Sequence, residues 1–231
     1  MDYQRVARWR TKNASGILVT VSDGLAFWRK VGIDPIRIET SAGGFLTLRC
    51  YFSGSPTFLG SLGRIDVIRT ERALARWLAM EGATGHDLAR ASTWPRIVDR
   101  ARAGDLEIVV DVGDDPSFGP INNSYSPDFV ADRLTQGPCN VDIYDVADAR
   151  KLLADVAQWA GDDKARRMLA DSHPLGRLLS QLSQRTPRMA QAWHPSSRVP
   201  PRQAIATEAE QFRELVNDLR ARFRVHPEGR S

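Results

Sequence analysis

One stretch does most to limit what this chain can become: Gly43 to Gly82, GGFLTLRCYFSGSPTFLGSLGRIDVIRTERALARWLAMEG. Leu46, Leu48, Cys50 and Phe52 fall on one face of an extended chain, and Phe45, Thr47, Arg49 and Tyr51 on the other. That is the period-2 alternation of a half-buried strand. Gly54, Ser55 and Pro56 mark a reversal. Thr57 to Leu59 form a short return strand, Gly60 to Gly63 a second turn, and Ile65, Val67 and Ile68 a β-branched run. Thr70 can N-cap a helix by accepting from an otherwise orphan amide. Leu74, Trp77 and Leu78 follow at helical spacing, with Gly82 as a C′ stop. Three linked strands under one helix can bury a common apolar face. The stretch reads as a packing core, because nearly all its distinctive residues are apolar.

The flanks extend the pattern. SGILVTVSDG reads as a first strand ending in an Asp23-Gly24 turn, and DPIRIET as another strand. Leu25 to Val31 fits either a return strand or a short helix. Short turns between sequential strands argue for an antiparallel meander. Downstream, a helical segment runs through Leu88 to Ala91. Pro95 suits a helix N1 position with Ser92 or Thr93 as cap, and Gly104 closes that helix. LEIVVDV, Leu106 to Val112, reads as a strand. A Pro/Gly/Asn loop leads to a helix over Asp128 to Leu134, stopped by Gly137-Pro138. Val146, Leu152, Leu153, Val156 and Trp159 recur at helical steps up to Gly161. Ala165 to Leu169 and Leu175 to Leu182 give two more helices. In the last segment Ile205, Ala209, Phe212, Val216, Leu219 and Phe223 step by four and three, an apolar stripe over three heptads.

The expected class is α+β: an antiparallel sheet with covering helices, then a helical region and a terminal amphipathic helix. The expected divisions are a basic tail (1–16), an α+β domain (17–140), a helical region (141–184), a basic Pro-rich linker (185–202) and the terminal helix and tail (203–231).

Charge is spread unevenly over the 231 residues. Residues 1–16 carry Arg5, Arg8, Arg10 and Lys12 against Asp2, a net +3. Residues 185–202 carry Arg185, Arg188, Arg198 and Arg202 with no acid, a net +4. The whole chain is +4, so the remainder is −3. The basic pI near 9.4 therefore belongs to two segments rather than to a folded face. Each basic segment holds an aromatic, Trp9 and Trp193, which could stack a base beside phosphate contacts. The alternatives are docking of Trp9 on the core and a solvated tether for the linker. Mean hydropathy is −0.36, and no apolar run approaches the ~18 residues of a membrane span. The first 16 residues lack the apolar region of a signal peptide, so a soluble, cytoplasmic protein with no membrane partner is expected.

Catalytic signatures are defined by the spacing their chemistry needs. None of G-x-S-x-G, G-x-x-x-x-G-K-[ST], G-x-G-x-x-G or H-E-x-x-H occurs. Two cysteines, Cys50 and Cys139, are too few for a disulfide framework or a zinc site of their own. His86, His173, His194 and His226 are scattered, so no metal and no cofactor are expected. Asp111, Asp114 and Asp115 past a strand, with Asn122 and Asn123, could hold a cation, but turn chemistry explains them as well. Ile205, Phe212, Val216, Leu219 and Phe223 form a face that either folds back on the body or meets a second copy or protein partner.

VTVSDGLAFWRK (Val19–Lys30), DPIRIET (Asp34–Thr40), FLTLRCYF (Phe45–Phe52) and TERALARWLA (Thr70–Ala79) resemble a family of uncharacterised proteins of high-GC Gram-positive bacteria often labelled primosomal protein. The resemblance spans Ile17 to Val110 and carries no active-site residue with it. It implies an association with replication restart. From the residues themselves, the expectation is a non-catalytic cytoplasmic interaction or adaptor protein. The alternative is an accessory nucleic-acid binder using the basic tail and linker.

Overall fold

The structure, a computed structural model, describes residues 10–12, 18–20, 23–80, 84–112, 121–137, 142–184 and 205–227. It opens with β1 (Arg10–Lys12), which pairs antiparallel with β2 (Leu18–Thr20), so the expected basic tail ends in a strand. Asp23-Gly24 does not turn the chain. It starts α1 (Asp23–Val31), which buries Leu25, Trp28 and Val31 at helical spacing. The meander follows as β3 (Asp34–Thr40), β4 (Gly43–Phe52) and β5 (Ser55–Phe58), all antiparallel. The β4–β5 reversal is made by Ser53 and Gly54, with φ of 49° and 82°.

The expected single sheet is divided between two larger sheets and two short strand pairs. β6 (Gly60–Ser61) and β7 (Arg64–Val67) form a second hairpin, bonded to β4 through the Leu46–Ile68 bridge. Each sheet also recruits a parallel edge strand from far along the chain. β10 (Ser124–Tyr125) joins β3, and β11 (Phe223–Val225) joins β7. The orders are β10-β3-β4-β5 and β11-β7-β6. Just before β10 in sequence, β8 (Asp111–Val112) pairs antiparallel with β9 (Ile121–Asn122). Leu106 to Val110 is not the expected strand. It keeps alternating burial at Leu106, Ile108 and Val110 but pairs with no strand among the described residues, and its Glu107 carbonyl accepts from the Trp28 indole at 2.7 Å.

α2 (Glu71–Met80) begins as expected, with Thr70 Oγ1 accepting from the Ala73 amide at 3.3 Å. α3 (Trp94–Arg102) has Pro95 in its first turn. The Thr93 hydroxyl does not cap it but donates to the Val31 carbonyl at 2.7 Å, tying α3 to α1. α4 (Pro127–Gln136), α5 (Ile143–Trp159), α6 (Asp163–Leu169), α7 (Pro174–Ser183) and α8 (Ala206–Ala221) make up the helical half. Helices α5, α6 and α7 start on side-chain caps at Asp142, Asp162 and His173 respectively. At Gly176 a Cβ would stand 2.0 Å from the Ala170 carbonyl, so only glycine lets α7 pack this closely on the end of α6.

Two apolar cores lie on opposite sides of the strands. One gathers Trp28, Leu46, Leu48, Cys50, Leu74, Leu78, Trp94 and Ile97 under α1–α3. The other joins Ile36, Ile38, Phe45, Phe58, Ile65 and Val67 to the apolar faces of α4–α8. β4 is therefore not half-buried but enclosed on both faces. The second core also runs without a break across residue 140.

Candidate functional site

The enclosure of β4 creates the most unusual chemistry in the molecule. Strand alternation points Thr47 and Arg49 away from the Leu46–Leu48–Cys50 face and under α5, where they are 0% and 2% exposed. A buried guanidinium needs a counter-charge. Asp155 of α5 supplies it, with Oδ2 3.2 Å from Arg49 Nη1. The Tyr51 hydroxyl donates to the same oxygen at 2.5 Å. The guanidinium carbon lies 5.4 Å from the centre of the Tyr51 ring and 5.2 Å from that of Tyr125 on β10, within cation–π range. One arginine thus ties β4, α5 and β10 together. Arg49 Nε and Thr47 Oγ1 are buried without a hydrogen-bond partner.

Burial opposes the charge on Arg49, but Tyr125, Tyr51 and Asp155 outweigh it and raise the pKa. Burial and the Asp155 hydrogen bond push the Tyr51 phenol well above its ordinary value, and burial raises that of Tyr125 against the pull of Arg49. Asp148, one helical stretch earlier on α5, is also raised by burial, with Asp145 adding to the effect. A permanently charged guanidinium, the Asp155 carboxylate and two protonated phenols make a clamp between elements.

A second cluster surrounds Asp66 on β7, whose side chain is 3% exposed. Arg224 of β11 grips it with two nitrogens, Nη2 to Oδ2 at 2.8 Å and Nε to Oδ1. A His226 ring nitrogen lies 2.7 Å from Oδ1. The His226 ring lies 5.0 Å from Trp77, tilted by 47°, and the Trp77 Nε1 is buried without a partner. A His–Asp pair can orient a general base, but this one faces Arg224 and an indole rather than a nucleophile. Cys50, buried mid-strand, is pushed up to about 11 by burial and the nearby Asp34, far from thiolate reactivity.

Of the residues expected to contact nucleic acid, Arg10 and Lys12 lie in β1. Arg5, Arg8, Trp9, Arg185, Arg188, Trp193, Arg198 and Arg202 lie outside the described residues. The expected partner-helix face requires correction. Ile205, Phe212, Val216 and Leu219 are buried in the chain's own second core. Phe223 is not on the helix at all but in β11, 5.4 Å from the Phe45 ring. The stripe turns inward because α8 packs against α4, α5 and α7. Asp111 lies in β8, whereas Asp114 and Asp115 fall outside the described residues. Among the described residues no three His, Cys, Asp or Glu side chains gather as a metal site.

Sequence reasoning missed Arg49, Tyr51, Tyr125, Asp155, Asp66, Arg224 and His226 as partners. A charge in the middle of a strand flanked by apolar residues was the available signal at Arg49. The alternation alone places it on the second face of a half-buried strand, and nothing local shows that α5, 106 residues later at Asp155, covers that face.

Comparison with known proteins bears on the whole body. The model of the SatS C-terminal domain family matches residues 33–220. A solved structure, the crystal structure of the SatS C-terminal domain in complex with bromine, is 34% identical, with a TM-score of 0.70. The match covers 87% of this chain and 97% of that one. A search of curated proteins finds no match. The matched residues run from β3 nearly to the end of α8, taking in both cores and the Arg49 clamp, and the chain belongs to the SatS C-terminal domain family.

Proposed function

We propose that this chain is a non-catalytic interaction or adaptor protein of the cytoplasm. The observation that carries this reading is a set of large apolar side chains held outward by ordered elements. Leu62 is 99% exposed, Met80 73% and Tyr144 65%. Ion pairs from distant parts of the chain stiffen the body that presents them, Arg49–Asp155, Asp66–Arg224 and Asp162–Arg222. Rigid exposed apolar groups suit a protein surface, where anchors lose little conformational freedom on binding. No helix among the described residues is long and apolar enough to cross a membrane.

The second reading is an accessory nucleic-acid binder of the primosomal kind. It rests on the net +3 of residues 1–16 and the net +4 of residues 185–202. Counterion release would make such binding fall steeply with salt. Pull-down of the full chain from native cytoplasm, with and without nuclease, separates the two. Partners that survive nuclease and moderate salt support the adaptor. Partners lost with nuclease, together with a salt-sensitive gel shift, replace it by the second reading.

A further inference from the structure

β7 would be a bare edge of its sheet but for β11. The order is β11-β7-β6, and β11 spans three residues, Phe223 to Val225. It runs parallel to β7, with Phe223 beside Ile65, Arg224 beside Asp66 and Val225 beside Val67. Backbone bonds close both ends. The Ile65 amide donates to the Arg222 carbonyl at 2.9 Å, and the His226 amide to the Val67 carbonyl at 3.0 Å. An extended peptide adds to a sheet edge in the same way, with main-chain bonds giving affinity and side-chain sites giving selectivity.

The side-chain sites belong to the body that β11 lies on. The Phe45 ring meets Phe223 edge-on at 5.4 Å, and the Arg69 guanidinium lies 4.4 Å from the Phe45 ring centre. Asp66, with its side chain 3% exposed, takes both of its ion-pair partners among the described residues, Arg224 and His226, from the segment that includes β11. A buried carboxylate stranded without a counter-charge is strongly unfavourable. Whatever lies along β7 must therefore bring a cation to the place of Arg224. The chain's own segment fills the site without completing it, since Trp77 Nε1, in the ring beside His226, stays buried without an acceptor. Its outer side is open, with Arg224 and Val225 exposed.

We propose that the β7 edge is a docking site for an extended segment of another polypeptide, an aromatic residue followed directly by arginine, and that β11 is a strap occupying this site in cis. This rests on the interaction reading and places its contact at β7. A second copy offers the same segment at the expense of its own site, so exchange between copies gains no contact. A foreign segment that also brings an acceptor to the Trp77 indole gains one. Because β11 follows directly on α8, its effective concentration at the site is on the order of millimolar or higher, which keeps weak competitors out.

Fluorescence anisotropy of the full chain with a labelled peptide of residues 221–228, ARFRVHPE, tests it. Arg224→Glu sets a like charge against Asp66 and should lift the strap, leaving the edge open to the arginine of the peptide. This variant is expected to bind the peptide about tenfold or more tighter than the unaltered chain, whose strap competes. It should also melt at a higher temperature with the peptide than without. Arg224→Gln keeps a donor for Asp66, disturbs the fold less and should fall between the two. A peptide carrying Arg224→Glu should bind none of them. Absence of peptide binding by either folded variant overturns the proposal, as does equal binding of the two peptides or equal binding by variants and unaltered chain. A dimer of the full chain that Arg224→Glu dissolves also overturns it, by making the occupant a second copy. In each of these cases a nuclease-resistant partner in the pull-down would still uphold the interaction reading.

Discussion

The Arg49 guanidinium is enclosed by the Tyr51 and Tyr125 rings and the Asp155 carboxylate, so removing it strands a carboxylate that is only 13% exposed. Breaking one partner of a buried pair typically costs 3–5 kcal/mol. Arg49→Met is therefore expected to lower unfolding stability by about 3 kcal/mol in urea titration. Adding Asp155→Leu should recover a large part of that, because both charges are then gone. Two other carboxylates make opposite pH predictions. Asp148 is raised by burial, so its folded pKa lies above the unfolded one, and its contribution is present in acid and lost as pH rises through the folded value. Asp148→Asn should raise Tm at pH 7 and have no effect in acid. Asp162 is lowered, first by the Ala165 amide and then by Arg222. Its contribution is present above the ordinary carboxylate range and lost as pH falls through the folded value. Asp162→Asn should lower Tm at pH 7, and calorimetry across pH should show that deficit closing in acid. Neither role could be read from sequence, since burial of Arg49 and Asp148 depends on elements far apart in the chain.

Elements were legible where the signal is local. Thr70 caps α2 and Gly161, with φ of 67°, ends α5, both as the residue chemistry implies. The α8 stripe was found with its period correct except at Phe223. There the chain leaves the helix after Ala221 and adds a parallel strand to β7. A parallel pairing between residues 65 and 223 has no local signature, because register is set by the partner strand and not by the segment itself. β11 is held by Phe223 on Phe45 and by Arg224 and His226 on Asp66. Arg224→Ala should cost about 2 kcal/mol, the usual loss of hydrogen bonds to a charged group left behind. Hydrogen exchange should then report faster opening at Ile65 to Val67, with α2 little changed. Equal acceleration everywhere would argue against a separate β11 latch.

At the scale of the molecule, the two cores share β4, and the second core draws its apolar wall from both ends of the chain. Truncation at Arg202 removes Ile205, Ala209, Phe212, Leu215, Val216 and Leu219, all buried. Each large apolar side chain is worth ~1.5–3 kcal/mol on burial, so their sum rivals the entire stability of an ordinary domain. The truncated chain is expected to lose its cooperative thermal transition by circular dichroism. A sharp transition in that chain would show that residues 23–184 fold alone.

The amino-acid sequence by itself determined the α+β class, the β3–β5 meander and the positions of the helices after α1, because period, caps and turns act within a few residues. It also located the net positive charge in residues 1–16 and 185–202. Only the tertiary structure decided that β4 is covered on both faces, that the main strands divide into two sheets with borrowed edges, and that the terminal stripe faces inward. Those outcomes depend on burial between residues a hundred or more positions apart, which no local pattern encodes. The same distance hid what is outward-facing: Leu62 reads as an ordinary turn residue until the fold leaves it bare at a hairpin tip.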